Sequence, residues 1–148
     1  MEIRQVLENK QAYLPLLLLG DEQEDLIASY LDRGTLSALY DGGRLRTVSV
    51  VTDEGHGIFE LKNLATEPDS RRRGYGRAMV QYVIETCRSR GTRLLVGTGD
   101  SPLTVPFYKS CGFQESHRVK NFFTDHYDHP IFEAGRQLVD MVYLAMDL

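Results

Sequence analysis

Between Ile58 and Val96 the chain switches its hydrophobic period twice. Ile58–Ala65 reads as a strand, and Thr66–Asp69, which contains Pro68, as a turn. Arg71-Arg72-Arg73-Gly74-Tyr75-Gly76 then opens a helix whose residues Met79, Val80, Val83, Ile84 and Cys87 fall on one face. Gly91 is the expected stop, and Arg93–Val96 is a short apolar strand. Strand, helix and strand in immediate succession make a parallel βαβ unit, right-handed by the rule for such crossovers. The chain is therefore expected to mix α and β around a sheet that carries a parallel pair.

The turn inside this unit has the chemistry of an anion site. The first N–H groups of a helix lack internal partners, and the helix dipole adds positive potential at that end. Gly74 and Gly76 let the main chain approach an anion, and three consecutive arginines add charge. The turn is neither GxxxxGK[ST] nor GxGxxG. It fits [Q/R]xxGxG, with Arg71, Gly74 and Gly76 in the three places.

Upstream, Met1–Val6 alternates like a strand. Glu8–Leu19 is helical in character, with Pro15 expected to break or kink it. Asp21–Leu31 follows as a second helix with an acidic start, ended by Gly34. Thr35–Tyr40, Arg44–Thr52 and Gly57–Ala65 read as an antiparallel meander, turned at Asp41-Gly42-Gly43 and at Asp53-Glu54-Gly55. Downstream, a short helix begins either at Pro102, after a Ser101 cap, or at Pro106, and stops at Gly112. Phe113–Phe123 and Asp140–Leu148 read as closing strands. Thr124–Gln137 between them reads as loop with a helical turn.

The [Q/R]xxGxG turn, followed by YKSCGF at Tyr108–Phe113, resembles the two signatures of the GNAT superfamily of acyl-CoA-dependent N-acetyltransferases. The element order is similar to the GNAT fold over nearly the whole chain. The ending, from NFFTDHY to LVDMVYLAMDL, resembles a bacterial subgroup labelled indole-acetic-acid acetyltransferase. The resemblance implies an α+β GNAT fold: a central mixed sheet of about six to seven strands with flanking helices. It also implies acetyl-CoA as cosubstrate and acetyl transfer to a primary amine of a small molecule or peptide.

Site residues follow from the same resemblance. Leu64, Ala65 and Thr66 would line the pantetheine arm, and Arg71, Arg72, Arg73, Gly74, Tyr75, Gly76 and Arg77 would hold the pyrophosphate. Tyr108 would be the general acid for the leaving thiolate. Glu60 is the candidate base, with ordered water as the alternative; strand alternation would put Glu60, Lys62 and Leu64 on one face. Ser101 stands where the family usually has Asn, which weakens a side-chain contact to pantetheine there, and Asp100 could cap in its place. His126, Tyr127, Asp128 and His129 lie near the expected acceptor end. Asp125 or Asp128 facing it would favour a cationic amine.

Bulk properties exclude other classes. With 148 residues the chain is long enough for one domain, residues 1–148. A net charge of -4 argues against general nucleic-acid binding. No apolar run, Leu16–Leu19 included, approaches the roughly 18 residues that span a bilayer. No leader pattern is read at Met1-Glu2-Ile3-Arg4, so a cytoplasmic location is expected. Two cysteines, Cys87 and Cys111, and four histidines show no CxxC, HxxxH or HExxH spacing, so no metal is expected. The fold is compatible with a homodimer through edge strands. Two rival readings keep the fold: a non-catalytic acyl-CoA binder or sensor, and an interaction protein without cosubstrate. Retention of Glu60 and Tyr108 argues against the first.

Overall fold

The computed structural model describes all 148 residues. In chain order the elements are β1 (Glu2–Val6), α1 (Leu14–Gly20), α2 (Glu24–Leu31), β2 (Thr35–Asp41), β3 (Arg44–Gly55), β4 (Ile58–Thr66), α3 (Tyr75–Arg88), β5 (Arg93–Gly99), α4 (Val105–Ser110), β6 (Gln114–Val119), α5 (Phe122–His126), β7 (Phe132–Glu133), β8 (Arg136–Gln137) and β9 (Met141–Asp147). Seven strands form one mixed sheet in the order β1-β2-β3-β4-β5-β9-β6, and β7 and β8 form a separate hairpin. The β4–β5 pair is parallel and its neighbours are antiparallel, as the βαβ reading requires.

Helices cover both faces. On one, Leu16 and Leu17 of α1 and Ile27, Tyr30 and Leu31 of α2 pack on Leu36, Ala38, Val48, Val50 and Ala65. On the other, Val80, Val83, Ile84 and Cys87 of α3 meet Phe59, Leu61, Leu94, Val96, Val142 and Leu144. Met79 joins Leu39 and Tyr75. Each fully buried side chain of this kind contributes about 1.5–3 kcal/mol, so the apolar face of α3 suffices to seat it on the sheet.

Several boundaries differ from the sequence expectations. Pro15 falls in the first turn of α1, where its missing N–H costs nothing, and a 3-10 turn, Lys10–Tyr13, precedes it. Helix α2 starts only at Glu24, because Asp21 ends α1 in an extended conformation. The β3–β4 turn is carried by His56 and Gly57, with φ of 56° and 79°, so β3 runs on through Gly55. Asp53 accepts the Gly55 N–H at 2.9 Å instead of turning the chain. Strand β6 ends at Val119, and Asn121, at φ 59°, redirects the chain into α5 so that Phe123 packs with Ile131 and Leu138.

Two irregularities position the site. The β4–β5 ladder runs from Ile58↔Arg93 to Leu61↔Val96 and stops there, although β4 continues to Thr66 and β5 to Gly99. Beyond that point β4 stays with β3 while β5 stays with β9, so the sheet splays. A bulge on β4, with Lys62 as the extra residue between the pairs Val50↔Asn63 and Val51↔Leu61, resets the alternation of β4. Leu64 consequently packs toward α3, while Asn63 turns to α1 and α2; Glu60 and Leu64 do not share a face as simple alternation predicts.

Candidate active site

The turn from β4 to α3 is built around unpaired donors. Ala78 donating to Gly74 O at 3.0 Å is the first bond of α3, and the N–H groups from Arg71 to Arg77 donate to nothing within the chain. Arg72 and Gly74 sit at φ 62° and 85°, which curls the backbone so that neighbouring N–H groups converge, an anion-binding nest continued by the helix end. Gly74 is required by that conformation. Gly76 is not: a Cβ there would stand 3.7 Å from Phe107 and 3.8 Å from Thr66, ordinary contacts. The protein itself has room for a larger residue at 76.

A buried cation holds the turn in place. Arg46, on β3, donates from Nη1 to Ser70 Oγ at 3.0 Å and from Nε to Asp41 O at 3.2 Å, and its carbonyl accepts the Glu67 N–H at 2.8 Å. Its guanidinium lies 5.5 Å from the centroid of the Tyr75 ring, whose hydroxyl donates to Asp41 Oδ2 at 2.7 Å. That hydrogen bond is the main reason the Asp41 carboxyl is held below its ordinary range. No local pattern marks Arg46, Ser70 or Asp41; the register of β2, β3 and β4 brings them together. An Arg46→Ala protein should lose about 2–3 kcal/mol of stability in urea titration and bind the anion of the turn about tenfold more weakly by calorimetry. Unchanged values in both would mean the turn is held elsewhere.

The splay and the turn open into a single cleft of about 720 Å³. Leu64, Ala65, Thr66, Arg71, Arg72, Gly74, Tyr75, Gly76 and Arg77 all line it, together with Tyr108. Three expected site residues do not. Arg73 is exposed beside the cleft. Ser101 is 3% exposed and accepts the Leu103 N–H at 3.1 Å, so it caps the turn into α4. Asp100 does not share that cap; it pairs with Arg118 at 3.0 Å. Glu60 lies behind the wall, paired with Lys62 Nζ at 3.1 Å and accepting from the Tyr143 hydroxyl at 3.5 Å. Burial, together with the Glu60 charge, pushes the Tyr143 phenol up to about 12. Arg77 turns its guanidinium away from the turn, onto Ser110 Oγ at 2.7 Å.

Tyr108 sits on α4 with its ring edge-on to Phe107 and Phe113, 7% exposed. Its hydroxyl has no hydrogen-bond partner in the chain. Burial, reinforced by the nearby Cys111 and Glu133, pushes its phenol well above the ordinary tyrosine value. It is therefore a neutral O–H donor throughout the physiological range.

At the other end of the cleft the wall is acidic. Asp21 and Glu22, between α1 and α2, and Glu133, at the end of β7, line it. Asp21 accepts from Tyr127 at 2.6 Å and from Tyr30 at 3.0 Å, and Tyr30 in turn accepts from Asn63 Nδ2 at 3.1 Å. Gln23 bonds His126 O and the Asp128 N–H, clamping the α1–α2 connection to the segment after α5. Asp125 and Asp128 do not line this cleft; Asp128 and His129 border a smaller one of about 230 Å³. No group of three or more His, Cys, Asp or Glu is arranged to hold a metal ion, and no helix is long and apolar enough to cross a membrane.

Comparison with known proteins places this arrangement. The family described as acetyltransferase (GNAT) domain matches residues 32–115. The uncharacterized N-acetyltransferase YvbK of Bacillus subtilis (strain 168) is 34% identical over 143 residues, 95% of this chain and 92% of that protein. A GNAT family acetyltransferase from Elizabethkingia anophelis, solved with acetyl-CoA bound, superimposes with a TM-score of 0.95 at 30% identity, covering 99% of this chain and 97% of that one. An IAA acetyltransferase from Bacillus cereus ATCC 14579 does so with a TM-score of 0.93 at 31% identity, covering 99% of each.

Proposed function

The chain belongs to the GNAT acetyltransferase family, and from that premise we propose that it moves the acetyl group of acetyl-CoA directly onto a primary amine of a small molecule or peptide, with both substrates bound at once. The observation that carries this reading is the splay of β4 from β5 beside the unpaired N–H groups of Arg71–Arg77. An elongated thioester with a diphosphate at one end needs both features. The free edge of β4 at Lys62–Thr66 offers main-chain groups to the amide-bearing arm, and the turn offers donors to the diphosphate.

Acyl transfer to an amine requires a polarised carbonyl, loss of a proton from the ammonium and gain of one by the thiolate. A main-chain N–H of β4 near Leu64–Thr66 would polarise the carbonyl. The amine nitrogen attacks, a tetrahedral carbon forms, and the C–S bond breaks. The Tyr108 O–H gives its proton to the departing sulfur. Glu60 would take the ammonium proton through an intervening water, since its carboxylate stands one side chain behind the cleft wall. Replacing it should then cost about tenfold in kcat, a limited effect for a base acting at one remove. If Glu60→Gln leaves kcat in place, water alone serves.

The reading is tested by calorimetric titration with CoA and by thiol release from acetyl-CoA over a panel of amines. Binding and release together support it. Binding without release for any amine would favour the non-catalytic CoA binder, and no binding would sink both. The phenol of Tyr108, which opens on the cleft without a partner in the chain, favours the enzyme, because it is free to donate to a bound ligand.

A further inference from the structure

The cleft is electrically polar along its length. Arg71, Arg72 and the start of α3 make one end positive. Asp21, Glu22 and Glu133 line the other, where the one basic side chain in the wall, Lys62, is already paired with Glu60. The three carboxylates are not equivalent. Each Asp21 oxygen already accepts from a tyrosine hydroxyl, and Glu22 faces His129 Nε2 at 3.6 Å. Glu133 is half-buried and has neither an ion pair nor a hydrogen bond in the chain. Its charge nevertheless reaches the Tyr108 hydroxyl, which also has no partner in the chain, on a side chain more than nine-tenths buried.

Glu133 is also firmly placed. It belongs to the β7–β8 hairpin, closed by Ala134 and Gly135 at φ 53° and 74°. Leu138 donates to Ile131 O at 2.8 Å at the base, and both residues pack on Phe123. The α1–α2 connection opposite is tied to the same region through Asp21–Tyr127 and Gln23–Asp128. An unpaired carboxylate lining the same acidic cleft as an unpaired phenol is matched by an organic cation. The carboxylates are not grouped as metal ligands.

Resting on the acetyltransferase reading, we propose that the acceptor is a primary amine carrying a second positive charge, as in a diamine or a basic peptide, and that Glu133 binds that second cation, with Asp21 and Glu22 supplying the surrounding negative potential. An acceptor with a free carboxylate next to the second position is disfavoured by the same field.

The test compares three acceptors of one chain length: 1,4-diaminobutane, n-butylamine and 4-aminobutanoate. The wild type should prefer the diamine by about tenfold or more in kcat/KM over n-butylamine, and turn over 4-aminobutanoate least. Glu133→Gln should raise KM for the diamine about tenfold while kcat, KM for acetyl-CoA and the rate with n-butylamine stay close to wild type. Equal turnover of the three acceptors, or an equal loss on all three in the variant, would overturn the proposal. Calorimetric titration of 1,4-diaminobutane into CoA-loaded protein separates this inference from the reading beneath it. Binding that weakens with salt and in Glu133→Gln, without thiol release, would keep the cation site and sink the transferase. No binding of the diamine would overturn the cation site whatever the turnover.

Discussion

A Gly76→Glu protein is expected to fold as well as the wild type and to lose coenzyme A. A Cβ at this position would make only ordinary contacts with Phe107 and Thr66. Gly76 lies in the first turn of α3, where replacing glycine gains up to about 1 kcal/mol in helix propensity and a negative charge gains about 0.3–1 kcal/mol against the dipole. The same carboxylate would occupy the space in front of the N–H groups of Arg71–Arg77 and repel a diphosphate. Losing even two charge-assisted hydrogen bonds there costs about 3 kcal/mol, a hundredfold or more in Kd. Thermal unfolding and CoA titration on one sample check both halves. An unchanged Kd would mean that the turn does not bind the carrier. Gly74 is the poorer probe, because at φ 85° any side chain adds roughly 1–2 kcal/mol of strain and confounds folding with binding.

The second large effect belongs to Tyr108. Tyr108→Phe should lower kcat by about 10²–10⁴-fold with little change in KM for acetyl-CoA, the loss expected when a positioned acid is removed. Stability should change by less than about 1 kcal/mol, because the deleted hydroxyl opens on the cleft without a partner in the chain while the ring keeps its contacts with Phe107 and Phe113. An activity loss without a stability loss is what distinguishes a proton donor from a packing residue. Steady-state thiol release and a melting curve read the two. If kcat falls by less than about twofold, the thiolate takes its proton from elsewhere.

Much of the site was legible because it is local. The strand, the RRRGYG turn and the apolar face of α3 are contiguous in the chain, and each is a near-neighbour pattern. The unpaired donors follow from a helix beginning where Gly74 permits it. Tyr108 was singled out through the YKSCGF motif taken together with the RRRGYG turn, and it lines the cleft. The acceptor end was not legible. The Asp21–Tyr127 bond joins residues 106 apart, and Glu133 reaches the cleft only because Phe123, Ile131 and Leu138 fold the hairpin back over it. The acidic candidates that the sequence offered for that end were Asp125 and Asp128, and neither lines the cleft.

Glu60 shows the same division within one strand. Its position on β4 is apparent from alternation, but the bulge at Lys62 belongs to the pairing of two strands, which leaves no mark in either one alone. That bulge sends Leu64 toward α3 and leaves Glu60 paired with Lys62 outside the cleft wall.

By itself, then, the amino-acid order settled the succession of strands and helices, the parallel pair and the donor-rich turn, because hydrophobic period and glycine placement act over a few residues. Only the tertiary structure decided where the β4–β5 ladder ends, which buried arginine braces the turn and which carboxylates line the cleft. Those depend on register and on packing between distant segments, where the free energy of a contact is set by what else is brought beside it.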